Sequence, residues 1–185
     1  GAEMGKPVIY LYPEKETEIS VNVRPTNGIS ISEPEIGDGW RVMASPDGEL
    51  YNFDDGKTYP YLFWEGFATN FKTPKEGFMV AVKDVARFFD TKLKVLGLNE
   101  KEIGDFKEFW VPKLSEKKYY FVTFIPQSDF DTYAPLTINP KPDSIIRVFF
   151  DYKGMDKKIT VKEQKLKKTE RKGFAVIEWG GRLYR

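Results

Sequence analysis

Neither cysteine nor histidine occurs among the 185 residues of the chain. Without them there is no thiolate nucleophile and no Ser-His-Asp triad, and no zinc or haem can be held through nitrogen or sulfur ligands. We therefore expect no cofactor and no metal site. Any catalysis would have to come from carboxylates, lysine, tyrosine, serine or threonine. The missing cysteine leaves the compartment open, because cytoplasmic and envelope proteins can both do without disulfides.

Long apolar runs and phosphate-binding glycine motifs are missing too. No stretch approaches the roughly 18 consecutive apolar residues of a membrane span, so we expect no span in this chain. Gly37-Asp38-Gly39 does not continue as a dinucleotide-binding motif, and no P-loop pattern occurs. These absences remove the nucleotide-binding classes that a short motif can identify.

Net charge is only +1, but the charges are unevenly distributed. Residues 1–60 carry 5 basic and 11 acidic groups, whereas residues 141–185 carry 13 basic and 6 acidic groups. The simplest interpretation is that the two ends neutralise each other in the folded protein. The lysine-rich segment Lys157–Lys172 could contact nucleic acid, an anionic lipid surface or a cell-wall polymer. We favour a lysine-guarded edge strand and no nucleic-acid partner, because aromatic residues are not interleaved with the lysines.

Aromatic residues make up 16% of the chain, and short segments of alternating apolar and polar residues recur along it. Both features are typical of β-strands. Turn signals such as Pro46-Asp47-Gly48 separate the segments. The pattern predicts strands at Val8–Tyr12, Glu16–Arg24, Gly28–Ser32, Trp40–Ala44, Leu50–Tyr51, Tyr61–Glu65, Phe78–Val82, Tyr119–Ile125, Leu136–Ile138, Ser144–Tyr152, Ile159–Lys162 and Gly173–Trp179.

A helix hairpin is predicted in the middle of the chain. Apolar residues at positions 85, 89, 93 and 96 lie on one helical face and predict a helix over Lys83–Leu96. Asn99 with Glu102 three residues later is a capping-box pattern that begins a second helix, and Pro112 should end it. The predicted fold is α+β: a mostly antiparallel system of one or two sheets, with the hairpin on one face.

We predict one domain over residues 6–185, with residues 1–5 a remnant of processing or cloning. An alternative divides the chain into a β subdomain over residues 6–66 and an α+β subdomain over residues 78–185. The segment Asn70–Gly77 between them has a linker-like composition.

Two strand ends place a carboxylate beside an indole: Trp64 with Glu65, and Glu178 with Trp179. Aromatic platforms beside acids are typical of sugar sites, so Glu65 and Glu178 are candidate catalytic residues of a glycosidase-like hydrolase, and the indoles candidate ligand contacts. The structural alternative places both indoles in the core and each carboxylate on the other side of its strand, solvated or paired.

Arg147 lies within a predicted apolar strand and needs a partner there. If that strand neighbours the one carrying Glu178, a cross-strand Arg147–Glu178 ion pair is the simplest account. In a cleft, the same arginine would instead indicate an anionic ligand.

Ordered blocks along nearly the whole chain resemble an uncharacterised bacterial family. They are KPVIYLYPEK at 6–15, GDGW at 37–40, YLFWEG at 61–66, LGLNEKE at 96–102, FWVPKL at 109–114 and EWGG at 178–181. The family has no assigned activity, so the resemblance implies no catalytic residue. Its members are similar to exported or envelope-associated proteins, which implies a leader removed before Gly1 and an extracytoplasmic location, with a cytoplasmic location as the alternative.

Three functional hypotheses follow. The first is a non-enzymatic binding or interaction domain whose partner is a glycan or a protein, and it predicts exposed aromatic residues on one face. The second is the carboxylate-based hydrolase that uses Glu65 and Glu178, which requires both groups in one concave site. The third is a purely structural module.

Overall fold

The computed structural model describes residues 2–183, which form twelve strands and three α-helices. The helices are α1 (Val85–Val95), α2 (Glu100–Trp110) and α3 (Gln127–Tyr133). The strands are β1 (Ala2–Tyr12), β2 (Thr17–Val23), β3 (Ile29–Glu33), β4 (Trp40–Ala44), β5 (Leu50–Asn52), β6 (Thr58–Tyr59), β7 (Leu62–Ala68), β8 (Phe78–Ala81), β9 (Tyr119–Phe124), β10 (Leu136–Asn139), β11 (Ser144–Met155) and β12 (Ala175–Arg182).

The strands form two sheets. The larger has the order β3-β7-β1-β12-β11-β9-β8 and the smaller the order β10-β2-β4-β5-β6. Strands β11 and β12 pair in parallel, and the other strand pairs of the described chain are antiparallel. The predicted α+β fold with two mostly antiparallel sheets is confirmed. Because β1 lies between β7 and β12, both ends of the described chain contribute to one sheet.

The helix hairpin covers one face of the larger sheet. The predicted helical stripe is buried there, with Val85, Phe89 and Leu93 packing against Phe106 and Trp110 of α2 and against the sheet. The capping box at the start of α2 is confirmed, since Asn99 accepts from the Glu102 N–H and Glu102 accepts from the Asn99 N–H. The smaller sheet covers the opposite face and encloses a second apolar core.

Four local predictions differ from the structure. Residues 2–5, which precede the predicted strand Val8–Tyr12, belong to β1, where the side chain of Met4 is fully buried. Residues 127–133, where the sequence pattern predicts neither helix nor strand, form α3, and Thr58–Tyr59 forms a short strand outside the predicted ones. Ile159–Lys162, expected as an edge strand, is no strand, because its alternating residues find no neighbouring strand. Next to it, Glu163 makes an isolated bridge with Gly77.

The segment of residues 156–174 connects β11 to the parallel β12, and we call it the crossover. It contains no helix or strand. Main-chain hydrogen bonds anchor it at three points: the Gly77 N–H donates to the Lys162 carbonyl (3.0 Å), the Thr169 N–H to the Val95 carbonyl (3.2 Å) and the Asp143 N–H to the Phe174 carbonyl (2.8 Å). A parallel pair requires such a long connection, because a tight turn cannot return the chain to the same end of the sheet.

None of the helices within residues 2–183 is both long enough and apolar enough to cross a membrane.

Candidate functional site

The predicted Arg147–Glu178 ion pair is present and buried. The two residues are in register on β11 and β12, and the Arg147 Nε–H donates to Glu178 Oε1 at 2.5 Å. Both side chains are 1% exposed. Glu178 Oε2 also accepts the Trp64 indole N–H at 2.8 Å, and the guanidinium lies 4.4 Å from the Phe130 ring centroid. Both carboxylate oxygens of Glu178 are therefore occupied by structural donors.

Glu65 lies on the other face of the same sheet. Trp64, the preceding residue, points into the core between the two sheets, where it contacts Glu178. Glu65 points to the opposite face, which carries the helix hairpin, and accepts the Lys6 main-chain N–H at 3.0 Å. Glu65 and Glu178 thus share no cleft. The geometry that a two-carboxylate glycosidase requires is not formed by this pair.

The candidate ligand contacts Trp64 and Trp179 are 0% and 1% exposed, so neither indole offers a surface to a sugar ring. The expected face of exposed aromatic residues is not found either. Tyr51, at 43%, is the single aromatic side chain in the described part of the chain that is more than about one third exposed. A surface with one such ring offers little aromatic area for stacking against a sugar, which weakens the case for a glycan ligand.

Trp179 instead belongs to a buried hydrogen-bonded chain that the sequence did not reveal. Its indole N–H donates to the Tyr10 hydroxyl at 2.9 Å, and that hydroxyl donates to Asp105 Oδ2 of α2, also at 2.9 Å. Burial of the ring, together with the nearby charge of Asp105, raises the pKa of Tyr10 well above its ordinary value. These hydrogen bonds therefore join the larger sheet to α2 through the Tyr10 phenol, which stays neutral.

Replacement of Tyr10 by phenylalanine should change how stability depends on pH. The folded-state pKa is raised, so the stabilisation is complete below the unfolded-state pKa of about 10 and is lost as pH rises above it. Above about pH 10 the wild-type protein should lose roughly 1.4 kcal/mol more per pH unit than Tyr10→Phe. Urea unfolding from about pH 9 to about pH 11 measures both slopes, with exposed Tyr51→Phe as the control. Parallel slopes for wild type and Tyr10→Phe would contradict the assignment.

A cavity of about 630 Å³ lies between the end of β9, the first half of β11 and the crossover, and the residue that follows α1 also lines it. Its size is within the range of small-ligand pockets. Apolar side chains from four separate elements line it, and lysines of the crossover stand at its edge. The lining residues are Glu76, Leu96, Phe124, Ile125, Pro126, Gln127, Ile146, Arg147, Val148, Phe149, Lys162, Glu163, Gln164, Lys165, Leu166, Lys167 and Thr169.

The edge of the cavity carries unpaired positive charge. Lys162 is paired with Glu76 at 3.1 Å, but Lys165 and Lys167 make no ion pair within residues 2–183. Both are exposed, whereas Leu166 between them is half-buried and packs against the apolar core. The cavity thus offers two ammonium groups beside an apolar lining, together with the carboxylate of the exposed Glu163, which has no salt bridge within residues 2–183 either.

Two glutamine side chains take the place of a missing strand beside the cavity. Gln127 accepts the Arg147 N–H at 2.9 Å and donates to the Ile145 carbonyl at 3.1 Å. Gln164 accepts the Phe124 N–H and donates to the Phe124 carbonyl, both at 2.8 Å. Each amide satisfies main-chain groups that a neighbouring strand would otherwise pair with.

An ion pair fixes the far end of the crossover to the helix hairpin. Arg171 donates to both carboxylate oxygens of Glu102, at 2.6 and 3.0 Å, and to the Gly97 carbonyl at 3.2 Å. Glu102 is fully buried. Since Thr169 lines the cavity two residues earlier, this pair holds the cavity wall in place.

Sequence patterns gave no direct signal for this site. Its parts come from β9, β11, the crossover and the end of α1, which are distant along the chain. The lysine-rich composition of the crossover is the one feature of the sequence that points to this site. Among Asp, Glu, Cys and His residues of the described chain, no group of three is arranged to hold a metal ion.

Comparison with known proteins supports the resemblance to uncharacterised bacterial proteins. A stretch of 64 residues is 47% identical to the "Uncharacterized protein in bglA 3'region" of Butyrivibrio fibrisolvens. The match covers 33% of this chain and 65% of that protein, so the chain spans slightly less than two thirds of the relative. No family model and no solved structure matches. The relative therefore assigns no function.

Proposed function

We propose that the protein is a non-enzymatic binding domain and that the cavity under the crossover binds a ligand with an anionic group and an apolar part. The proposal rests on the combination of apolar side chains and lysines without ion-pair partners in the lining of this cavity. Leu96, Ile146 and Leu166 contribute apolar side chains to its lining. Lys165 and Lys167 contribute ammonium groups that make no ion pair within residues 2–183. An apolar pocket with a few convergent polar groups is the usual form of a binding site.

Binding is favoured over hydrolysis because of where the carboxylates lie. Both carboxylate oxygens of Glu178 accept hydrogen bonds in the core, from Arg147 and Trp64, and Glu65 lies on the other face of the sheet. At the cavity, Glu76 is paired with Lys162 and Glu163 is exposed. The extracytoplasmic location implied by the family resemblance belongs to the same proposal, since binding domains are common among envelope proteins.

Removal of the two rim charges should weaken anion binding. We expect the Lys165→Gln/Lys167→Gln variant to bind an anionic probe roughly tenfold more weakly, because each exposed charge contributes up to about 1 kcal/mol. Isothermal titration with a peptide of alternating valine and glutamate, an oligogalacturonate and decanoate compares a peptide, an acidic glycan and an alkyl carboxylate. Affinity should also fall with added salt.

Lys15→Gln/Lys57→Gln is the matched control. It removes the same charge from two exposed lysines outside the cavity, and it should bind like wild type. Equal loss in both double variants would show attraction to the chain's overall charge and would reject the cavity as the site. Absence of binding by all three probes would reject the proposed function itself.

A further inference from the structure

The larger sheet has a gap beside the first half of β11. Strand β9 pairs with β11 from Phe150 to Met155, and the last main-chain bond runs from the Ile125 N–H to the Phe149 carbonyl. The chain then turns away into α3. On that side residues 144–148 therefore face no strand; Ile145 is 36% exposed, whereas residues 146–148 are buried and line the cavity. Five residues of edge correspond to roughly 17 Å, the length of a typical strand.

The gap is capped by a side chain rather than by main chain. The Gln127 amide meets the Arg147 N–H and the Ile145 carbonyl, which are the donor and acceptor that an added strand would use. Gln127 is half-buried and is the first residue of α3. A side chain can leave these two groups without unfolding any element, whereas a paired strand cannot.

Across the cavity the crossover presents a second free edge. The main chains of Lys165 and Leu166 make no hydrogen bond within residues 2–183. Their side chains alternate in the manner of a strand, with Leu166 toward the core and Lys165 and Lys167 exposed. The cavity thus lies between the β11 edge and a main-chain segment of the crossover that has no hydrogen-bond partner within residues 2–183.

We propose that the cavity is a strand-addition site, in which an extended acidic peptide displaces the Gln127 amide and pairs with the β11 edge. This inference rests on the proposed function and names its ligand class. Exposed sheet edges recognise peptides through main-chain hydrogen bonds, while pockets for alternate side chains give specificity. Here apolar side chains of the peptide pack on Ile146 and Leu166, and the intervening acidic ones meet Lys165 and Lys167.

A test uses an acetylated and amidated peptide of alternating valine and glutamate, titrated into the full chain. Two analogues carry N-methyl groups, one on the valine nitrogens and the other on the glutamate nitrogens. Strand addition predicts that at least one analogue binds at least tenfold more weakly, because a methylated nitrogen cannot donate to β11. Equal binding of the parent peptide and both analogues would overturn this inference and leave the proposed function standing.

The variant Gln127→Ala removes the cap and should bind the parent peptide roughly tenfold more tightly, because two hydrogen bonds no longer have to be broken. Hydrogen exchange reports the site directly. In the Gln127→Ala variant, the Arg147 amide hydrogen should exchange fast with solvent when no peptide is present and slowly when the peptide is bound. If the peptide binds wild type while leaving exchange in residues 144–148 of the variant unchanged, strand addition is rejected. The N-methyl comparison on wild type remains decisive if the variant folds poorly.

Discussion

Replacement of Glu178 by alanine is expected to lower the free energy of unfolding by about 4 kcal/mol. The change removes the buried partner of the Arg147 guanidinium and leaves it only the ion pair with Asp131, a half-exposed carboxylate 3.0 Å from Nη1. Its Nη2 already makes no hydrogen bond within residues 2–183. It also removes the acceptor of the Trp64 indole N–H. A buried charge that loses its buried partner and an unsatisfied buried donor are among the largest penalties that a single substitution produces. Urea unfolding at neutral pH measures the loss.

Glu65→Ala provides the comparison, since the two carboxylates were predicted together from the same sequence signal. Glu65 is half-buried and accepts one main-chain N–H, so its replacement should cost about 1 kcal/mol. The double variant Arg147→Met/Glu178→Leu should be more stable than Glu178→Ala, because it leaves no buried charge. If Glu178→Ala were as stable as wild type, the carboxylate would not be structural and a catalytic role would have to be considered again.

The alternation of residues in β11 was enough to predict the partner of Arg147. Arginine in an apolar strand must be neutralised by a charge on a neighbouring strand, and Glu178 was the suitable acid in the other apolar strand. What alternation could not show was the direction of pairing, since period-2 patterns are the same in parallel and antiparallel neighbours. The parallel pairing matters, because it creates the long crossover and with it the cavity.

Helix α3 and the crossover show why other parts escaped prediction. Helix α3 has seven residues and buries only Phe130 and Tyr133, which is too short for a helical period to be visible. Ile159–Lys162 alternates like a strand, yet strand formation depends on a neighbour that lies far away in sequence. Gln127 and Gln164 carry no sequence signal either, because their role is set by where another strand stops.

Glu102→Ala should lower the free energy of unfolding by about 3 kcal/mol and also weaken ligand binding. Both carboxylate oxygens of Glu102 bind Arg171, and one of them completes the capping box at the Asn99 N–H. The substitution removes a buried partner of a charge-assisted, bidentate pair and part of a helix cap. Arg171 is 24% exposed, so water recovers some of the loss, and the expected cost is smaller than for Glu178.

Binding is affected because the Glu102–Arg171 pair anchors the crossover just after the cavity wall. Without it, the Thr169–Val95 main-chain bond should open more often, and amides of residues 165–171 should exchange faster with solvent. A wall that must be ordered on binding costs affinity, so the alternating peptide should bind several-fold more weakly. Glu100→Ala is the control, because Glu100 is exposed in the same helical turn and has no side-chain hydrogen bond or ion pair to the crossover within residues 2–183. Faster exchange in the crossover with undiminished peptide affinity would show that the wall does not shape the site.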